Sequence, residues 1–134
     1  MLLYSTLGTN DMPRATRFYD AIMGVLGQKR FDLQSEGWAA YGEDYDTGYG
    51  LFLCAPFDGA PATPGNGAMQ AFKAESAAQV RDWYAAGLGA GGQDEGAPGL
   101  RDAYGPRFYV AYLRDPDGNK LACVFHRYDP AVAP

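Results

Sequence analysis

One histidine, two cysteines, an acidic run and a glycine-rich hexapeptide are the places where this sequence could do chemistry. Histidine is the side chain that titrates nearest neutral pH, so His126 alone keeps a proton-transfer role open. No spacing rule brings it to Ser5, Ser35 or Ser76, and serine nucleophile chemistry has little to stand on. Glu43-Asp44-Tyr45-Asp46 has the composition of a calcium loop. Counted from Asp44, however, the twelfth position is Ala55 rather than a carboxylate, and a solvated turn is expected. Gly87-Leu88-Gly89-Ala90-Gly91-Gly92 satisfies G-x-G-x-x-G, yet a dinucleotide loop needs that pattern between a strand and a following helix. Here it closes a helical pattern and reads as a stop. Cys54 and Cys123 lie in apolar runs that look like strands; two cysteines do not make a disulfide scaffold, and buried free thiols in a reducing compartment are expected.

The elements that must position such groups fit one domain. A chain of 134 residues can bury a core unaided. Its 11 Lys and Arg against 16 Asp and Glu leave a net charge of −5, so the basic footprint for nucleic acid or an anionic membrane is absent. Hydrophobic residues at 47% and aromatics at 14% exclude disorder for the bulk of the chain. Met1-Leu2-Leu3-Tyr4 has no basic start and its apolar run breaks at Ser5, too short for a signal peptide. No stretch approaches the ~20 apolar residues of a membrane span. A soluble, cytoplasmic protein is expected.

The chain repeats itself. Shifted by 65 residues, Phe18-Tyr19-Asp20-Ala21 falls on Trp83-Tyr84-Ala85-Ala86, and Gly24, Gly27 and Gln28 fall on Gly89, Gly92 and Gln93. Met12, Ala15, Phe18, Tyr19, Ile22, Val25 and Leu26 follow the spacing of one buried helical face. Asn10 or Asp11 can cap that helix, and Pro13 is tolerated in its first turn. The copy opens on Ser76-Ala77-Ala78-Gln79, which has the form of a capping box. Val80, Trp83, Tyr84 and Leu88 supply its apolar face, and Gly91-Gly92 stop it.

Apolar strands precede both helices, at Leu2–Gly8 and Ala68–Ala74. Three shorter strands follow the first, near Lys29–Leu33, Trp38–Tyr41 and Tyr49–Cys54. In the second half the middle region is vaguer, but Arg107–Leu113 and Lys120–Phe125 are clear strands. Asp115-Pro116-Asp117-Gly118 turns the chain between them. The fold class is therefore α+β: a βαβββ module over about residues 1–56, a Pro-rich linker over about 57–66, and a second module over about 67–128.

A duplicated βαβββ unit, with Arg17-Phe18-Tyr19 on the first helix and Asp115-Pro116-Asp117-Gly118-Asn119 before the last strand, resembles the vicinal oxygen chelate superfamily. That group includes glyoxalase I, extradiol dioxygenases and the bleomycin- and fosfomycin-resistance proteins, and the resemblance covers nearly the whole chain. It implies a cavity lined by two curved sheets. In the metalloenzymes of the group, ligands come from a His in the first strand of each half and a Glu just beyond the Asp-Pro-Asp-Gly-Asn turn. A further carboxylate or amide comes from the last strand of the first half. Carried onto this chain the first three positions are Tyr4, Met69 and Ala122, and the fourth falls near Phe52 or Leu53. A phenol stays protonated at neutral pH, a thioether is a soft ligand, and Ala, Phe and Leu offer nothing. Gln70 and Cys123 are neighbours of these positions, but a one-residue shift turns a side chain to the other sheet face. The usual divalent metal, and any other cofactor, is expected to be absent.

The same scaffold then offers a dry pocket. If Arg114 and Lys120 flank a tight turn, Ala122 comes opposite Ala111, Tyr109 and Leu113 share that face, and Arg107 stands nearer the rim. The expected pocket is Tyr4, Met69, Arg107, Tyr109, Ala111 and Ala122, with Tyr109 offering a hydroxyl and Arg107 a charge for a carboxylate. The competing reading makes Tyr4 and Met69 ordinary core residues and Arg107 a solvated edge residue. No catalytic residue is assigned.

The resemblance to metal-free, antibiotic-sequestering members implies binding of a small organic molecule. The charge of −5 and ten tyrosines suit an aromatic or cationic one. The alternative is a lyase or dioxygenase whose metal is held by unrecognised ligands. A third reading is an interaction module with a collapsed cavity. A homodimer is expected from the resemblance.

Overall fold

The apolar spacing from Met12 produces a helix because both ends are satisfied locally. In the computed structural model of the chain, which describes residues 1–31, 33, 36–42 and 50–132, α1 spans Met12–Val25. The Asp11 carboxylate caps it by accepting from Arg14 N, and Pro13 occupies the first turn where no N–H partner is needed. The copy, α2, spans Ala77–Gly89; Ser76 Oγ accepts from Gln79 N at 3.0 Å, and Gln79 Oε1 accepts from Glu75 N at 2.7 Å. The acidic run Glu43-Asp44-Tyr45-Asp46, Ser35 and Tyr49 lie outside the described residues.

Each helix is followed and preceded by strands as the repeat requires. β1 (Tyr4–Gly8), β2 (Arg30–Phe31), β3 (Trp38–Tyr41) and β4 (Gly50–Cys54) form one sheet in the order β1-β4-β3-β2. β5 (Gln70–Lys73), β6 (Gln93–Leu100), β7 (Tyr109–Arg114) and β8 (Lys120–Phe125) form the second in the order β5-β8-β7-β6. In each, the strand before the helix runs parallel to the last strand and the other pairs are antiparallel. Two βαβββ modules of an α+β fold result. Among the described residues no helix is long and apolar enough to cross a membrane.

The repeat is exact at the helix starts and slips at the ends. Met12 and Ala77 are 65 apart, but α1 has 14 residues and α2 has 13. The left-handed residue after the cap is therefore Gly27 (φ 74°) in the first copy and Gly91 (φ 100°) in the second.

β6 is the strand that the sequence leaves vague, and the reason is chemical. Its residues include Asp94, Glu95, Gly96 and Pro98, none a good strand former. It survives as an edge strand, paired on one side only to β7, where a missing proline donor is tolerated. Its register shifts between Asp94 and Gly96 and again between Gly96 and Gly99. At Gly96 a Cβ would meet Tyr112 Cδ2 at 2.8 Å, so only glycine lets this edge lie against that ring.

The helices pack on one face of both sheets. Phe18, Tyr19 and Ile22 of α1 and Val80 and Trp83 of α2 are fully buried with Leu51, Leu53, Leu113, Leu121 and Cys123. Such side chains each contribute about 1.5–3 kcal/mol by leaving water. The two modules meet at β1 and β5, where the Ser5 hydroxyl donates to Gln70 Oε1 at 3.0 Å across the 65-residue offset. The turn after β7 locks the junction. Asp117 accepts from the Thr9 hydroxyl (2.6 Å), Asn10 N (3.0 Å) and Arg14 Nη2 (2.8 Å), while Asn119 Nδ2 donates to Gly8 O at 3.2 Å.

One expectation about this turn is corrected. Arg114 does pair with Lys120, but that places Ala122 opposite Tyr112 and Ala111 opposite Cys123. The loop holds five residues, closed by Asp115 N donating to Asn119 O at 2.9 Å, and the pairing lies one residue from that expected. A one-residue slip exchanges the faces of a strand.

Candidate functional site

Alternation along the paired strands sorts every side chain onto the helix face or the open face. In the first sheet Leu7, Tyr41, Leu51 and Leu53 turn to the helices. Tyr4, Trp38 and Phe52 turn the other way. There Tyr4 stacks on Phe52, centroids 4.6 Å apart and planes 12° apart, and the rings of Phe31 and Trp38 meet Phe52 edge-on at 6.1 and 6.3 Å. Tyr4 is 46% and Trp38 43% exposed, so this is an aromatic surface and not core. A cleft of about 600 Å³ runs from Trp38 and Cys54 to Phe57 and Ala62 on the linker.

In the second sheet Tyr109, Ala111, Leu113, Leu121 and Cys123 face the helices. Tyr112, Lys120 and Ala122 face away. A cleft of about 660 Å³ opens there, lined by Met69, Glu95, Arg101, Tyr112 and Lys120. Tyr104 and Phe108, edge to face at 5.3 Å, add an apolar wall. Arg101 and Lys120 both sit over the Tyr112 ring, at 5.7 and 5.2 Å from its centroid. The Tyr112 phenol is raised from its ordinary value by burial first, with Tyr104 adding to the rise and Arg101 opposing it. Glu95, the acidic group of the lining, is held by Arg114 at 3.1 Å.

The expected pocket residues divide across these faces. Met69, 44% exposed, lines the second cleft, and Ala122 lies buried on the same face opposite Tyr112. Tyr4 belongs to the aromatic surface of the first sheet. Tyr109 and Ala111 turn toward the helices, where the Tyr109 hydroxyl accepts from Arg81 Nη1 at 3.3 Å and its ring stacks on Tyr128 at 5.0 Å. Arg107 is exposed and precedes β7; its carbonyl accepts from Tyr128 N at 3.0 Å. The cleft's cations, Arg101 and Lys120, and its ring, Tyr112, were not among the expected residues. Counting the five loop residues between Arg114 and Lys120 would have found the last two.

The divalent ion of the metalloenzymes does not fit the side chains at its positions. Tyr4 is engaged in a ring stack, Met69 offers a thioether, and Ala122 and Phe52 have no donor atom. Among the described residues there is no group of three or more His, Cys, Asp and Glu that could hold a metal ion.

The thiols differ in setting. Both are unpaired; burial pushes Cys123 up to about 12 and raises Cys54 above its usual value. Since the thiolate is the reactive form, Cys123 is expected to stay unmodified in the native protein. With Ellman's reagent at pH ~8 we expect slow reaction at Cys54 alone, and two thiols only after denaturant. Native labelling of Cys123 at the rate of Cys54 would contradict its burial.

Comparison with known proteins gives one family. The model of the glyoxalase/bleomycin resistance protein/dioxygenase superfamily matches residues 2–123. The crystal structure of a glyoxalase/bleomycin resistance protein from Albidiferax ferrireducens is 35% identical, covers 97% of this chain and 99% of its own, and superposes with a TM-score of 0.82. A glyoxalase/bleomycin resistance protein/dioxygenase family enzyme from Burkholderia phytofirmans is similar at 19% identity, 91% and 95% coverage and TM-score 0.71. Glyoxalase I from Zea mays is similar at 18% identity and TM-score 0.67, over 96% of this chain and 45% of that one. The last two likenesses are of fold alone. No protein of the curated set matches the sequence.

Proposed function

Because the chain belongs to the glyoxalase/bleomycin resistance protein/dioxygenase superfamily, we propose that it binds a small organic molecule on the open face of its second sheet, without a divalent metal. The observation that carries this reading is the cleft of about 660 Å³ beside Met69 and Tyr112, on the face that holds two of the expected metal positions, Met69 and Ala122. A cleft of this size, mostly apolar with a few polar groups, is what a small-molecule site requires. It also speaks against the collapsed-cavity alternative. The reading places the protein with the bleomycin-resistance type rather than with the lyases and dioxygenases. A homodimer accords with the exposed aromatic surface of Tyr4 and Trp38, and a cytoplasmic setting with two unpaired thiols.

Elemental analysis of the purified protein tests the proposal directly. Zn, Ni, Fe and Mn are expected below stoichiometric amounts, and treatment with EDTA should leave the thermal transition where it was. Anything that binds the native state raises that transition, so aromatic compounds should raise it in EDTA as well as without. A stoichiometric metal whose removal lowers the transition would overturn the reading in favour of a metal-dependent lyase or dioxygenase.

A further inference from the structure

We propose that the ligand of the second-sheet cleft is an aromatic anion, an aryl carboxylate of one or two rings, gripped by Arg101 and Lys120 against Tyr112. This rests on the metal-free cleft proposed above and names its ligand class. The chain as a whole carries −5, so a nonspecific attraction would favour cations. The cleft is built with the opposite sign. Arg101 and Lys120 both reach the Tyr112 ring, and neither has a carboxylate partner among the described residues. The two acidic groups of β6 are committed elsewhere. Glu95 is bound by Arg114, and Asp94 accepts from Gly96 N at 2.8 Å and from the Tyr84 hydroxyl at 2.9 Å.

Arg101 is also held in place. Its Nη2 donates to Ala97 O at 2.8 Å and its Nη1 to Leu100 O at 3.3 Å, both carbonyls on β6. A guanidinium fixed by its own strand keeps further N–H groups for a carboxylate and loses little side-chain freedom on binding. Lys120 adds a second charge at the start of β8. The rings of Tyr112, Tyr104 and Phe108 and the thioether of Met69 are apolar and polarizable, suited to the flat body of an aryl group. Two cations over one ring, with the acid of the lining paired to Arg114, are a receptor for a planar anion.

The test is calorimetric titration of the full chain at low ionic strength with three probes of one shape: 1-naphthoate, neutral 1-naphthamide and cationic 1-naphthylmethylamine. Naphthoate is expected to bind at least about tenfold more tightly than the other two, with affinity falling as salt rises. Arg101→Gln and Lys120→Gln should each weaken naphthoate several-fold and leave naphthamide unchanged. Thermal melts of both variants, which alter exposed or half-exposed side chains, verify the fold. Equal or tighter binding of the amide or amine, or unchanged naphthoate affinity in the double variant, overturns the anion assignment while the metal-free cleft stands. Naphthoate binding that appears only with added Zn or Mn overturns the metal-free cleft itself. Absence of binding by all three probes overturns the ligand class and leaves the cleft to its metal analysis.

Discussion

Asp115→Ala is expected to lower the free energy of unfolding by about 3–4 kcal/mol, more than any substitution on the open face. The carboxylate, 3% exposed, accepts four hydrogen bonds. Oδ2 takes the Tyr19 hydroxyl at 2.6 Å and Asn119 Nδ2 at 2.8 Å, while Oδ1 takes the backbone N–H of Asp117 and of Asn119, both at 2.9 Å. Alanine orphans these donors at the point where the β7–β8 turn meets α1, so the loss is felt by both modules. Tyr19→Phe removes one donor along with its bond and should cost only about 1 kcal/mol. Burial, the largest influence, raises the Asp115 carboxyl above its ordinary value of 3.8, against its hydrogen bonds to Tyr19 and Asn119. A carboxyl raised on folding adds stability that is full below the unfolded value and lost as pH rises through the folded one. Asp115→Asn lacks that titration, so its deficit relative to wild type should narrow as pH climbs from below 3.8 toward neutrality. Urea unfolding of the three variants across pH measures both effects. An alanine variant no weaker than Tyr19→Phe would show that the turn does not hold the modules together.

The same turn marks where the sequence was legible and where it was not. Both helices could be read because their information is local: a 3.6-residue apolar stripe, caps at Asp11 and Ser76, and a glycine beyond each end. The module count followed from the repeat, which the Ser5–Gln70 contact embodies. Strand register is different in kind. It depends on how many residues the Asp115–Asn119 loop holds, and an error of one sends Tyr109 and Ala111 to the open face in place of Tyr112. β6 is vague in the sequence because an edge strand need satisfy only one neighbour, so Asp94, Glu95, Gly96 and Pro98 survive there. Arg101 is a candidate only once β6 is known to end beside β7. The cleft's chemistry was hidden behind those two facts, not behind unusual residues.

Trp83 tests how far the two copies are still equivalent. It is fully buried on α2, its ring 6.3 Å from that of Phe72, and its counterpart at the 65-residue offset is Phe18, equally buried on α1. Trp83→Ala should cost about 4–5 kcal/mol, the combined loss of transfer energy and the cavity left in a close-packed junction. Trp83→Phe should cost about 1 kcal/mol or less, for a reason beyond size. The Trp83 Nε1–H is buried with no acceptor among the described residues, a deficit of about 1–3 kcal/mol that phenylalanine removes. That relief offsets most of the lost ring volume. Calorimetric melts separate the outcomes: a wide gap between the two variants means that the indole nitrogen is a liability retained inside a symmetric core. If phenylalanine costs as much as alanine, the nitrogen is satisfied in solution and the wider ring is what α2 needs against β5. The second module would then be specialised at its helix as well as at its cleft, and the duplication would have diverged on both faces of the sheet.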